Sequence, residues 1–237
     1  MGSGPVSQPA ETNVAVAAES LTIQAYRRLR AGILSGELPP DQKLKVESLR
    51  QTLGFGASPI REALSLLTSD GLVERFDNRG FRVATVSLAD FDDLQQARCW
   101  LEDRALREAV KHGGQEWEEQ IMIAQHRLVR TPRSFQAGSE VLTNPAWEEL
   151  HKLFHMTLIS ACPSKTLLRI CDQLYDRNTR YRSLAMSRSQ APRQWKGEHA
   201  AIVEAVIERD ADIAAERLIQ HYTRTGDILR ASLNVPT

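Results

Sequence analysis

The stretch WEELHKLFHMTLISAC, residues 147–162, sets His151 and His155 four apart within an apolar pattern of helical period. Residues at that spacing stand one turn apart on the same helix face. The pair therefore offers two imidazoles to one divalent cation, or it is two buried rings in need of hydrogen-bond partners. Two more histidines have the same character. His199 shares a face with Trp195, Ile202, Val203 and Val206, and His221 follows Ala214 and Leu218 and precedes Ile228. Four of the six histidines thus point inward, from three helical segments. Buried imidazoles require partners, and a shared cation supplies one to all four. Spacing alone leaves the metal site and the hydrogen-bonded core both open. His112 and His126 lie on more polar faces and read as surface residues.

Charged and amide side chains also interrupt apolar stripes. In the segment opening at Ser87, the stripe Phe91, Leu94, Leu101, Ala105 is broken by Arg98, with Glu102 one turn on. A buried guanidinium needs an anion, here either Glu102 or a bound ligand. On the stripe Leu167, Leu174, Tyr181, Ala185 lies Asn178, with Arg182 at its edge. Arg98, Asn178 and Arg182 are the candidate contacts for a small carboxylate. Structural ion pairing is the alternative for each.

These side chains need elements to hold them. The chain has 237 residues, 42% hydrophobic and 25% charged, with zero formal net charge. That is an ordinary globular composition, long enough for two domains. No apolar run approaches the roughly 20 residues of a membrane span. The N-terminal stretch has no basic start followed by an apolar core, so it does not read as a secretory signal. Its small and polar residues predict a disordered arm over residues 1–20. Three cysteines, Cys99, Cys162 and Cys171, sit inside helical patterns and read as reduced thiols of a cytoplasmic protein. Residues 21–86 carry ten Lys/Arg against seven Asp/Glu, a weak lean toward nucleic acid.

Residues 21–86 read as three helices followed by a hairpin. Ala25, Leu29 and Ile33 mark the first helix, residues 46–53 the second, and Gly54 stops it. In FGASPIREALSLLTSDGLV, Ser58 is the expected N-cap of a third helix with Pro59 as its first residue. Ile60, Ala63, Leu64 and Leu67 form its buried face. LVERFDNRGFRVATV then alternates around Asp77-Asn78-Arg79-Gly80, as a hairpin does. This order predicts a winged helix-turn-helix. A small bundle with an incidental hairpin is the alternative.

Ser87-Leu88-Ala89-Asp90 resembles a capping box and opens the first of six helices. They are expected to end near Lys111 and to continue over 115–129, 145–161, 164–187, 191–208 and 210–233. No strand is expected among them. Residues 87–233 thus predict an all-helical domain, and the chain as a whole is mainly α.

The segment from Ala25 to Ser87, with LRAGILSGELPPDQKL, GASPIREALSLLTSDGLVE and NRGFRV, resembles the DNA-binding domain of the GntR family of bacterial transcriptional regulators. The resemblance implies DNA contacts from Ser58, Pro59, Arg61, Arg79 and Gly80. It departs from relatives at Ala57 and Glu47, where some carry DNA-contacting arginines. The helical part resembles the FCD-type effector domain of the FadR subfamily, whose Asp-x-x-x-His, Glu-x-His and final His hold a metal. This chain matches at His155, His199 and His221 and carries His151 in place of aspartate. An all-nitrogen set suits zinc, or nickel, better than an oxygen-preferring ion. WEELHKLFHMTLISACPS, DRNTRYRSLA and EHAAIVEAVIERDADIAAERLIQHY are similar to the carbon-starvation-induced regulator branch.

The resemblance implies a homodimer on a palindromic double-stranded operator, with no membrane partner. It implies a repressor released when a small organic acid binds beside the metal. Two rivals remain at this point: a metal-dependent hydrolase, disfavoured because no H-E-x-x-H or similar pairing with a base is present, and a regulator whose metal is purely structural.

Overall fold

The computed structural model describes residues 19–76, 80–137, 140–186 and 195–233. Helix α1, Leu21–Ser35, starts where extended Ser20 accepts a hydrogen bond from the Ile23 N–H. It ends at Gly36, whose φ of 85° is left-handed and suits glycine. Strand β1, Lys43–Leu44, precedes α2, Val46–Leu53, which Gly54 closes at φ 74°. Helix α3, Ala57–Ser69, starts two residues earlier than expected. Its N-cap is Gly56 rather than Ser58, and the Ser58 hydroxyl donates to Glu62 at 3.1 Å. Pro59 still sits in the first turn, where a missing N–H costs no helical bond.

Strands β2, Val73–Phe76, and β3, Gly80–Val83, pair antiparallel from Val73↔Val83 to Phe76↔Gly80. β1 adds itself to the other edge of β3, giving the order β1-β3-β2. A two-residue strand is too short to show a period in sequence, so this third strand goes unpredicted. Ala25, Leu29, Ile33, Ile60, Leu64 and Leu67 bury against Leu72, Val73 and Val83 as one core. This is the expected arrangement of three helices and a wing. Arg79 and most of the N-terminal arm lie outside the described residues.

The second part contains α4 (Leu88–His112), α5 (Gln115–Arg130), α6 (Pro145–Ile159), α7 (Lys165–Met186), α8 (Trp195–Ile207) and α9 (Ala211–Leu233). Ser87 caps α4 by accepting from the Asp90 N–H at 3.0 Å. The reciprocal half of the capping box is absent, because the Asp90 carboxylate accepts from Tyr181 and from Arg177 instead. Asn144 caps α6, with proline in its first turn. One expectation is corrected: the loop before α6 contains a hairpin, β4 (Ser134–Ala137) with β5 (Glu140–Thr143). Gly138-Ser139 between two short β-capable runs was the available signal. Leu106, Ile121, Leu128, Phe154, Leu158, Ile202, Val206 and Leu218 form the core of this part. Cys162 and Cys171 are buried, Cys99 is half-buried, and all three are free thiols.

Helix α7 joins the two halves. Asp176 pairs with Arg30 of α1 and with Lys152 of α6. Ser183 donates to the Leu34 carbonyl at 2.6 Å, Gln173 to Asp70 at 3.1 Å, and Arg180 to the Ala84 carbonyl. The opposite face of the same helix presents Tyr175, Asn178 and Arg182 to the helical core.

Candidate metal and ligand site

All four inward histidines meet, and their ligand atoms lie within 4.8 Å of one another. The Nε2 atoms of His151 and His155 are 3.2 Å apart, and those of His199 and His221 are 3.3 Å apart. A tetrahedral zinc with bonds of about 2.05 Å separates its ligands by about 3.3 Å. These two edges match that separation, the four ligand atoms as a whole lie within 4.8 Å, and the cluster is a set of residues that could hold a metal.

The outward nitrogens decide which lone pairs face the centre. His221 Nδ1 donates to Glu198 at 2.7 Å, which leaves Nε2 as an acceptor. The Tyr222 hydroxyl gives its proton to Glu102, so it accepts from His155 Nδ1 at 3.1 Å, with the same result. Such outer hydrogen bonds orient ligating imidazoles. His151 differs. Its Nδ1 lies 3.0 Å from Arg182 Nη1 and 2.6 Å from the Tyr175 hydroxyl. A guanidinium only donates, so here His151 Nδ1 accepts, and its proton sits on Nε2, directed at His155. The position at which the sequence departs from the pattern it resembles is therefore also the imidazole whose tautomer is set by an arginine.

All three residues nominated for a carboxylate are buried around a chamber of about 30 Å³ beside the rings. Arg98 Nε pairs with Glu102 at 2.9 Å, which settles the choice left open by the sequence only in part. Among the described residues its Nη2 has no partner, nor do Arg182 Nε, Trp147 Nε1 and Gln95 Oε1, and all four residues line this chamber. Buried polar atoms without partners are rare, and three such donors on side chains that line one small space mark a candidate place for an acceptor. Gln95 and Trp147 were not anticipated. Gln95 lies one turn before Arg98 on α4, which was the available signal. His112 and His126 are exposed, as expected.

Gly226 on α9 approaches Gln95 so closely that a Cβ there would lie 1.9 Å from Gln95 Oε1. Gly226→Ala is expected to rotate the amide away and break its bond to the Tyr222 carbonyl. Overpacking of this kind costs about 1–3 kcal/mol, read as a lowered melting temperature.

Burial, reinforced by nearby cations and the other rings, holds the pKa values of His151 and His155 well below the usual histidine range. The unfolded chain takes up these protons near pH 6.5 and the folded chain does not. Stability is then unaffected above that pH and falls as pH drops below it, because the unfolded state binds more protons. Thermal melts of chelator-treated protein between pH 7 and 5 check this, and the decline should be shallower in His155→Gln.

In the winged part, Ser58, Arg61, Glu62 and Ser65 are exposed on α3. The two oxygens of Glu62 accept from Ser58 and from Thr22 at 2.7 Å. Arg61 makes no ion pair among the described residues and projects from the second turn of α3. Gly80 begins β3 at φ 118°, a value that favours glycine. Among the described residues no helix is long and apolar enough to cross a membrane.

A winged helix-turn-helix carrying an exposed arginine near the start of its third helix, joined to a helical domain, defines a DNA-binding regulator of two parts. Residues 21–83 match the family described as bacterial regulatory proteins, gntR family, and residues 93–224 match the FCD domain. The chain belongs to the GntR family and has an FCD domain. It is a DNA-binding transcriptional regulator, not an enzyme. It is 35% identical over 89% of its length to the HTH-type transcriptional regulator BphR of Paraburkholderia xenovorans, covering 86% of that protein. It is 30% identical over 90% of its length to the HTH-type transcriptional repressor GlaR of Escherichia coli, covering 97% of it. Among solved structures, E. coli McbR/YncC superposes with a TM-score of 0.73 at 19% identity, over 91% of this chain and all of that one.

Proposed function

We propose that this regulator is a cytoplasmic homodimeric repressor, released from a palindromic operator when a small organic acid binds beside a metal held by His151, His155, His199 and His221. The observation that carries the reading is the set of unpartnered buried atoms on Arg98, Arg182, Trp147 and Gln95 around one chamber against the histidine cluster. Three of these atoms are N–H donors, as a carboxylate requires. Gln95 Oε1 is an acceptor, which a hydroxyl or ammonium on the same molecule satisfies. Asn178 lines the same chamber. The repressor name of GlaR supports the sign of the regulation.

Zinc suits the all-nitrogen donors, nickel next. When bound, such an ion supplies a Lewis-acid position for a carboxylate oxygen. The protein's part is to orient the acid through Arg98 and Arg182 and to set the His151 tautomer. A ligand anion that draws Arg182 away from His151 Nδ1 lets the ring tautomer change, so that Nδ1–H donates a hydrogen bond to the Tyr175 oxygen while the phenol O–H turns to the anion. That frees Nε2 toward the centre. Metal and acid then strengthen each other's binding reciprocally. Arg182 and Tyr175 lie on α7, whose other face holds the winged domain. Rearrangement there alters the placement of two recognition helices across a dimer. On the DNA side, Arg61 reads a base edge, Ser58 and Pro59 place the helix start against phosphate, and Arg79 and Gly80 approach from the wing.

Calorimetric titration of four- to six-carbon dicarboxylates and hydroxy acids into zinc-loaded and chelator-stripped protein tests this. Binding is expected only in the loaded form and is expected to weaken in Arg98→Ala. Equal binding in both forms overturns it.

A further inference from the structure

The histidine chamber is small, but a second cavity of about 480 Å³ lies between the two halves of the molecule. We infer that this inter-domain cavity is a separate binding site for a small, uncharged and largely apolar organic molecule. Its volume falls within the range of small-molecule sites, about 300–1,000 Å³. The apolar wall is made by Ala31 and Leu34 of α1, Phe135 and Leu142 of the β4–β5 hairpin, Pro145 of α6 and the Tyr175 side chain of α7.

Two observations point to the occupant's chemistry. The first is charge. Asp176 is held between Arg30 and Lys152, Glu148 is held by Arg182, and Glu37 is held by Arg28. The cations at the wall, Arg30 and Lys152, are thus spent on protein carboxylates, so an anion entering the cavity finds no free counter-charge, and the remaining carboxylate of the lining, Glu149, is exposed to solvent. The second is the hairpin. Phe135 and Leu142 are directly opposed across its two strands and remain 47% and 41% exposed. Covering a large apolar side chain contributes about 1.5–3 kcal/mol, and an apolar guest covers both while touching α1. The cavity is distinct from the histidine chamber, with Arg182 standing between them: Arg182 lines the chamber, and its partners Glu148, Tyr175 and Thr179 line the cavity.

The test is fluorescence titration of the full-length zinc-loaded protein with N-phenyl-1-naphthylamine, a neutral aromatic probe that brightens in apolar surroundings. Saturable binding of one probe per protomer is expected. Ala31→Phe fills the cavity from an exposed position of α1, and Leu142→Gln makes its wall polar. Each is expected to weaken binding at least about tenfold, with melting temperature and zinc affinity unchanged. Arg98→Ala and chelator stripping, which disable the acid site, are expected to leave probe binding intact. Absence of saturable binding, or equal binding in both cavity variants, overturns the inference. So does loss of binding on Arg98→Ala or zinc removal, which places the probe in the chamber. The carboxylate reading fails or stands separately, on its own calorimetry.

Discussion

In His155→Ala, zinc affinity is expected to fall by more than about a hundredfold, beyond the roughly 10–100-fold typical of losing a residue that merely orients a ligand. His155 is fully enclosed, with Nε2 3.2 Å from that of His151 and Nδ1 tied through Tyr222 to Glu102. Removing the ring deletes one corner of the cluster, and no carboxylate lies close enough to the four nitrogens to replace it among the described residues. Glu198→Ala is the graded companion. It leaves four imidazoles but removes the acceptor that fixes the His221 ring, so affinity is expected to drop by about 10–100-fold, with partial recovery in Glu198→Gln. Competition against a chromophoric chelator measures both, and melting of the stripped variants separates ligand loss from unfolding. Zinc affinity unchanged in His155→Ala would show that the four histidines are a hydrogen-bonded core and not a metal centre.

That each of these histidines points inward was legible because each falls on the apolar stripe of its own helix, a local property; that they share one site was implied only by the resemblance to the FCD-type domain. The outer partners were not legible in the same way. Tyr222 meets Glu102 across 120 positions of sequence, and Tyr175 meets His151 across 24. No periodicity says which buried hydroxyl faces which ring, because that depends on how α4, α6, α7 and α9 cross. Arg98 shows both sides of this. Its place in an apolar stripe announced a buried cation in need of an anion, and Glu102 one turn away is that anion. Only the packing reveals that, among the described residues, Nη2 is left over on a side chain that lines the chamber with Gln95 and Trp147. In the winged part, the three helices and the β2–β3 hairpin carried strong local signals. β1 is held by pairing with residues 81 and 82, a contact that two residues of sequence do not encode. Ser58 has the residue type of a cap, yet Gly56 is the residue with the extended cap conformation. Starting the helix two residues earlier puts Ser58 inside the first turn and frees its hydroxyl for Glu62.

That last detail shapes the expectation for Arg61→Ala. An arginine one residue from a glutamate is easily read as half of a surface ion pair, and then its loss changes little. Here Glu62 is occupied by Ser58 and Thr22, so Arg61 is left facing solvent on the second turn of the recognition helix. An arginine there reaches the major groove, where its fork matches guanine O6 and N7. Operator affinity is therefore expected to fall by about 1–3 kcal/mol, roughly 5–150-fold, with discrimination relaxed at one base pair per half-site. The operator comes from selection out of a random duplex pool with the parent protein, followed by fluorescence anisotropy at several salt concentrations. If Arg61 contacts only phosphate, the loss is uniform across sequences and the salt dependence shallows by about one charge. That pattern rejects base reading at this position. Glu62→Gln provides the internal control: it loosens the ties to Ser58 and Thr22 without removing the arginine, so it should weaken binding less than Arg61→Ala and leave base preference in place.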